Sequence, residues 1–336
     1  MTPKPRLLCK VPYSASLLAS LATVACSSYV GDEDTRTVTE PMIYGTDSFL
    51  EYGQVVGTAE QRWADSTAAI IGPQSGIVTG VQCSGGTCNL ITSPWVMNPA
   101  TGVRICEGVR FKYQPQLARC SGVLVGPSLV ATVAHCYTNQ VCSDGPTIVF
   151  GFVADASGNA PSTLPASNVF SCTSVTAVQG TGDEQTDWAL VQLDRPVTRP
   201  VMNIRYSGAV TLGDPVVLLG YPIGLPLKVA SNAQVMAFGP LGKQLYHNAD
   251  EYGGSSGGPV VNRLTGVVEG LHHGAGGGGP GDFSLSSDSL GTCLAPNSCP
   301  VTGCGSTPEG LAEASLAQQF SQRVPLAPVL VVAAAL

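Results

Sequence analysis

Gly253-Gly254-Ser255-Ser256-Gly257-Gly258-Pro259-Val260 is the stretch on which the reading of this chain turns. Two glycines precede the serine pair and two follow it. Glycine lets a backbone bend where a Cβ would clash, so the stretch reads as a tight turn displaying one serine. Such a turn can aim the amides of Gly254 and Ser256 at one point, which is what an acyl-transfer site needs to hold a developing oxyanion. The plain alternative is a glycine loop containing serines by chance, since short motifs have real false-positive rates. Ser255 competes with Ser256 for the displayed position.

Two upstream stretches bear on the choice. Ala131-Thr132-Val133-Ala134-His135-Cys136 closes one apolar run, and Thr186-Asp187-Trp188-Ala189-Leu190 opens another. A serine hydroxyl is a poor nucleophile at neutral pH and needs an adjacent base. Imidazole suits that task, with an unperturbed pKa of about 6.5. The chain has 4 histidines, at positions 135, 247, 272 and 273. The base in turn needs a carboxylate to fix its tautomer. Asp187, flanked by Trp188, Ala189 and Leu190, reads as the start of a half-buried strand, where an aspartate without a partner would be costly. Asp183 and Asp194 are the alternatives, as turn-capping carboxylates.

In this order His135, Asp187 and Ser256 resemble the chymotrypsin-like serine peptidases, in particular the compact bacterial branch that includes the glutamyl endopeptidases. The matching residues are Cys120-Ser121-Gly122 through Ala134-His135-Cys136, then Asp187-Trp188-Ala189-Leu190, then Gly254 to Pro259, within a span of roughly residues 65 to 280. The resemblance implies an all-β fold of two six-stranded antiparallel β-barrels with a short C-terminal helix. It implies a secreted serine endopeptidase that cuts polypeptides through an acyl-enzyme, without metal or cofactor. His135 would be the base, Asp187 its partner, Ser256 the nucleophile, and Gly254 with Ser256 the oxyanion donors. It also implies a Cys120–Cys136 bridge beside the histidine. Asp250 falls where the family places the base of its specificity pocket, with Glu251 next to it, which leans towards Lys or Arg before the cut. His272, followed by His273, falls in the segment by which glutamyl endopeptidases recognise Glu, so the two features disagree. Two departures stand out. Ser255 replaces the aspartate that pairs with a new N-terminus in trypsin-type enzymes, and Tyr252 replaces a cysteine. A catalytically silent relative serving as a binding or adhesion module is the alternative function.

Composition agrees with an all-β secreted chain. The 336 residues are 44% hydrophobic and only 12% charged, with Gly 40 and Pro 25. Val, Ile and Thr recur in short runs between turn residues, which favours many short strands. The net charge of −7 without a basic stripe argues against nucleic acid as a partner. The 12 cysteines point to an oxidising compartment. Lys4, Arg6 and Lys10 precede an apolar Ser14–Val24 stretch and small residues, the pattern of a secretory signal over residues 1–26. Thr23-Val24-Ala25-Cys26 also resembles a lipoprotein cleavage box, so Cys26 is a candidate lipid anchor on the cell envelope. Without Cys9 and Cys26, ten cysteines are left, enough for five bridges. Cys83 with Cys88, and Cys142 with Cys172, are candidate pairs.

The organisation read from the chain is a signal at 1–26, a tether, pro-segment or ordered extension at 27–64, and a peptidase domain at 65–281. Its barrels would cross over near 195–205, and a disulfide-tied tail would occupy 282–336, with a short helix over Leu311–Phe320. The oligomeric state is open. The serine turn also fits the G-x-S-x-G elbow of α/β-hydrolases, in which an acid and then a histidine follow the serine. Here His272 and His273 precede Asp282 and Asp288, against that order.

Overall fold

Short apolar runs bounded by Gly, Pro and Asn become strands because alternate residues can bury themselves on opposite faces. The computed structural model describes residues 43–72, 78–98, 101–137, 142, 147–179, 186–275, 282–304 and 310–325. The signal, Cys9, Cys26, the acidic tether, Asp183 and the apolar end from Pro328 lie outside the described residues.

Six antiparallel strands close the first barrel. In spatial order they are Thr147–Phe150, Val169–Gln179, Asp187–Leu193, Leu129–Thr132, Cys120–Gly126 and Thr67–Ile71. The last pairs back onto the first. Six more close the second barrel: Pro215–Gly220, Pro259–Asn262, Val268–Ala275, Ala312–Leu316, Gln244–His247 and Lys228–Phe238. Closure comes from pairing between Pro215–Gly220 and Lys228–Phe238. The expected crossover near 195–205 runs between the barrels: Met202 N donates to Leu124 O (2.9 Å), and Arg205 N to Val268 O (3.0 Å).

Strand Pro215–Gly220 shows how a continuous apolar run serves two cores. Val216 and Leu218 join Val235, Leu245 and Val260 in one cluster. Val217 and Leu219 join a second cluster with Leu124, Val130 and Trp188 of the first barrel. Both faces are dry, so the run needs no polar alternation.

The C-terminal region corrects the expected organisation. The sequence predicts a helix over Leu311–Phe320, but Ala312–Leu316 is a strand and the helix is confined to Gln318–Ser321. The strand has a neighbour on each edge, Gln244–His247 and Val268–Ala275. This double pairing overrides the helix propensity of its two alanines. The second barrel therefore reaches past residue 281 into the segment assigned to the tail. From Ile43 on, the N-terminal extension joins the fold as well. Phe49–Glu51 pairs with Lys228–Ala230 on the outside of the second barrel, and helix Ala59–Asp65 buries Trp63. All ten cysteines of the described residues pair: Cys83–Cys88, Cys106–Cys293, Cys120–Cys136, Cys142–Cys172 and Cys299–Cys304. The Cys106–Cys293 link ties the 78–116 insertion to the tail, a pairing without a sequence signal.

A buried ion pair joins the extension to the barrel. The side chain of Lys228 has no solvent exposure, and its Nζ reaches Glu51 Oε2 (3.0 Å), Gln114 Oε1 (2.7 Å) and Pro226 O (2.9 Å). Burial lowers its pKa to about 8, against the pull of Glu51. Lys228→Met leaves the Glu51 carboxylate buried without its cation, so a loss of about 3–5 kcal/mol is expected in urea unfolding. Lys228→Met with Glu51→Gln should recover much of it. The unfolded chain, with its lysine near 10.5, binds more protons than the native one between pH 8 and 10.5. The contribution of this group to stability therefore rises with pH across that window.

Candidate active site

Strand Asp187–Leu193 pairs with Leu129–Thr132, Ala189 opposite Thr132. That register brings the strand's first residue beside the single helical turn Ala134–Cys136. His135 Nδ1 lies 2.5 Å from Asp187 Oδ2. Asp187 Oδ1 accepts from the amides of Ala134 (2.6 Å) and His135 (3.2 Å). One carboxylate thus holds both the imidazole and the backbone that carries it. Burial works to raise the Asp187 pKa, but the hydrogen bond and charge of His135, with the amides, hold it below the ordinary value. The carboxylate is ionised at neutral pH, so Nδ1 carries a proton and Nε2 is left as the basic nitrogen. The Cys120–Cys136 bridge anchors this turn to the adjacent strand of the first barrel.

The serine turn runs into strand Pro259–Asn262 at the junction of the barrels. Ser256 O accepts from Ser121 N (2.7 Å), and Cys136 Sγ lies 3.9 Å from the same oxygen. Ser256 is therefore within one residue's reach of the His135 turn. The glycines are required by space. Gly254 has φ +100°, and a Cβ there would lie 2.7 Å from Tyr221 O; Gly257 has φ +84°, and a Cβ would lie 2.1 Å from Ser121 O and Thr132 Oγ1. No side chain fits at such distances, whatever the strain of a positive φ. Among the described residues the Gly254 amide has no acceptor. Ser255 is buried, its amide donating to Tyr252 O (3.0 Å).

Sequence reasoning missed Ser121. Its buried hydroxyl donates to Gly254 O (2.8 Å) and accepts from Tyr221 N (2.9 Å), while its amide holds Ser256 O. One residue of the first barrel thus fixes two carbonyls of the serine turn. The signal lies in Cys120-Ser121-Gly122, where the cysteine masks the serine beside it. Ser315 was missed too: its hydroxyl accepts from Asp187 N (3.1 Å), from the strand Ala312–Leu316 whose sequence suggests a helix.

The four residues expected at a specificity pocket, Asp250, Glu251, His272 and His273, each lie beside partners within the chain. Asp250 is 1% exposed and does not offer a free carboxylate. Its Oδ1 accepts from Tyr44 N (2.7 Å), and its Oδ2 from Ser48 N (2.6 Å) and Ser48 Oγ (2.7 Å). Glu251 and His272 have no exposure and meet each other, carboxylate to Nε2. Burial disfavours charge on both, pushing the carboxyl well up and the imidazole down to about 3. His273 lies beside Glu313 at 3.8 Å, with its own pKa lowered by burial.

Two groups of potential metal ligands occur among the described residues, Cys120 with His135 and Cys136, and Cys106 with Asp288 and Cys293. In each the sulfurs are in a disulfide, not thiolates, the form that binds metal.

Residues 120–271 match the family model of the trypsin-like peptidase domain. No curated protein matches the sequence. Three solved structures are similar in shape. A Glu endopeptidase in complex with MPD shares 16% identity, covers 84% of this chain and 96% of its own, and has a TM-score of 0.46. A serine endoprotease from Yersinia pestis shares 16% identity over 81% of this chain and 64% of its own, with a TM-score of 0.42. The VesB protease of Vibrio cholerae shares 11% identity over 84% of this chain and 66% of its own, with a TM-score of 0.45. The match thus spans slightly less than two thirds of the second and third chains.

Proposed function

This chain is a chymotrypsin-like serine peptidase, and from that premise we propose that His135, Asp187 and Ser256 are its catalytic triad. Ser256 Oγ attacks the scissile carbonyl as His135 Nε2 takes its proton. The amides of Gly254 and Ser256 hold the oxyanion. The imidazolium, stabilised by Asp187, then protonates the leaving amine, and water resolves the acyl-enzyme by the same steps in reverse. The observation that carries this reading is the carboxylate of Asp187. It grips His135 Nδ1 at 2.5 Å and the amides of Ala134 and His135 at once, so the orientation of the base is set before substrate arrives. The test is labelling with a fluorophosphonate, which phosphonylates only an activated serine. The adduct is expected on the peptide holding Ser256; an adduct on Ser255, or none, would overturn the assignment. The second outcome would favour the catalytically silent binding module.

The substrates are polypeptides. For the residue before the cut, the sequence leaned towards Lys or Arg because of Asp250 and Glu251. Asp250 accepts from Tyr44 and Ser48, and Glu251 faces His272, which supports a preference that does not depend on Asp250. Asp250→Asn should leave the cleavage profile on a peptide library unchanged. The five disulfides support an oxidising compartment. They agree with secretion by the signal at residues 1–26, with a lipid anchor at Cys26 as the cell-envelope variant of that fate.

A further inference from the structure

Segment 43–51 is held at both ends by strand pairing and in the middle by a residue just before the serine turn. Ile43–Tyr44 pairs in parallel with Ser298–Cys299, and Gly45 N donates to Cys299 O (2.7 Å). Phe49–Glu51 pairs with Lys228–Ala230. Between these ends the chain turns, and the turn is closed by the Asp250 carboxylate through Tyr44 N, Ser48 N and Ser48 Oγ. The next residues of the serine turn face outward in the same way. The Tyr252 ring packs on Phe49 (5.7 Å), Trp95 (6.4 Å) and Phe283 (5.3 Å), and Gly253 N donates to Asp282 Oδ2 (3.3 Å). Residues 250, 252 and 253 are thus all engaged by segments of the chain outside the matched domain at 120–271.

Those contacts stand where this chain departs from its family. With Ser255 in place of the aspartate and Tyr252 in place of the cysteine, neither an N-terminal ion pair nor that disulfide can order the turn. A turn with glycines at 253, 254, 257 and 258 loses much backbone entropy on ordering, and something must offset it. We propose that segment 43–51 is a permanent positioning element of the active site, with Asp250 the residue that couples it to the turn bearing Ser256 and the Gly254 amide. The proposal rests on Ser256 being the nucleophile. It also implies that any removal of an N-terminal piece ends before Ile43, because a cut between Tyr44 and Ser48 would separate the donors that Asp250 holds together.

The test uses the full-length protein. Wild type must first label with the fluorophosphonate at Ser256; failure there overturns the triad reading and not this coupling. Asp250→Asn keeps the size of the side chain but turns an amide NH2 towards the Tyr44 or the Ser48 donors. Its kcat is expected to fall by about tenfold to a hundredfold, the scale of a misplaced catalytic group. KM should stay within about twofold and fluorophosphonate labelling should slow in parallel, since the Gly254 amide is used in the transition state. Ser48→Ala should show a smaller fall of the same kind, and Ser48→Thr, which keeps the hydroxyl, should be close to wild type. Unchanged kcat in Asp250→Asn and Ser48→Ala would make the clamp structural only and overturn the proposal. A loss confined to Lys and Arg substrates would overturn it as well, by placing Asp250 on the substrate. Should Asp250→Asn fail to fold, Ser48→Ala, which keeps the carboxylate, decides by the same readout.

Discussion

Ser256→Ala is expected to lower kcat by about six orders of magnitude, while Ser255→Ala is expected to keep most of the activity. The first figure follows from how a triad works as a unit: without its nucleophile the base has nothing to activate. A residual rate of about 10³–10⁴ over the uncatalysed reaction should persist, from substrate binding and the amide pair. The substitution removes one hydroxyl and leaves the backbone contacts in place. Ser121 N still donates to Ser256 O, and the glycine geometry at 254 and 257 is untouched. Its unfolding midpoint should therefore shift by less than about 1 kcal/mol equivalent. Ser255 differs in kind, since its structural work is in its backbone, from its amide to Tyr252 O and from Gly258 N to its carbonyl. Single-turnover and steady-state rates on one peptide, with denaturant unfolding of each variant, check both halves. Equal losses at the two positions would mean that the variants damage the turn and not the chemistry.

The strands of the first barrel were legible because each is a compact apolar run between turn residues. Leu129–Thr132 and Cys120–Gly126 surround Gly126-Pro127-Ser128, and period and punctuation agree. The second barrel was harder. Gln244–His247 carries Gln, Tyr and His in a strand that is wholly buried, so it lacks the apolar signature that marks a strand. Ala312–Leu316 is composed of residues that favour helices, and only its two neighbours make it a strand. The candidates His135, Asp187 and Ser256 stand out in the sequence because each lies in a short motif of its own. The reach of Asp250 to residues 44–48 could not, because it spans more than 200 positions and depends on a fold already built. A carboxylate in a pocket and a carboxylate clamping a loop look alike in one dimension. Only the count of donors around it tells them apart.

Asp187→Asn is expected to lower kcat by about 10⁴ with little change in KM. In the native site Oδ1 accepts from two backbone amides and Oδ2 from His135 Nδ1. An asparagine has one oxygen and one NH2. Ala134 N and His135 N can only donate, so the oxygen must turn to them. The NH2 then faces Nδ1, which has to become an acceptor, and the imidazole proton moves to Nε2. In that tautomer His135 cannot take the proton of Ser256. The geometry survives while the chemistry is lost, and for that reason the loss falls on kcat. Stability responds in a separate pH range. The Asp187 pKa lies below its ordinary value of 3.8, so the carboxylate stabilises the native state above that value. This contribution disappears only as the pH drops through the native pKa. The wild-type loss of activity on acidification should accordingly follow protonation of the imidazole and not of the carboxylate. Asp187→Asn should remove the share of acid-range stability that Asp187 supplies, so the stability difference between wild type and variant should shrink as the pH falls below about 4, measured by urea unfolding at about pH 2 and about pH 6. A variant that lost kcat and the native fold together at neutral pH would show that Asp187 is there to hold the turn Ala134–Cys136 rather than to fix the tautomer of the base.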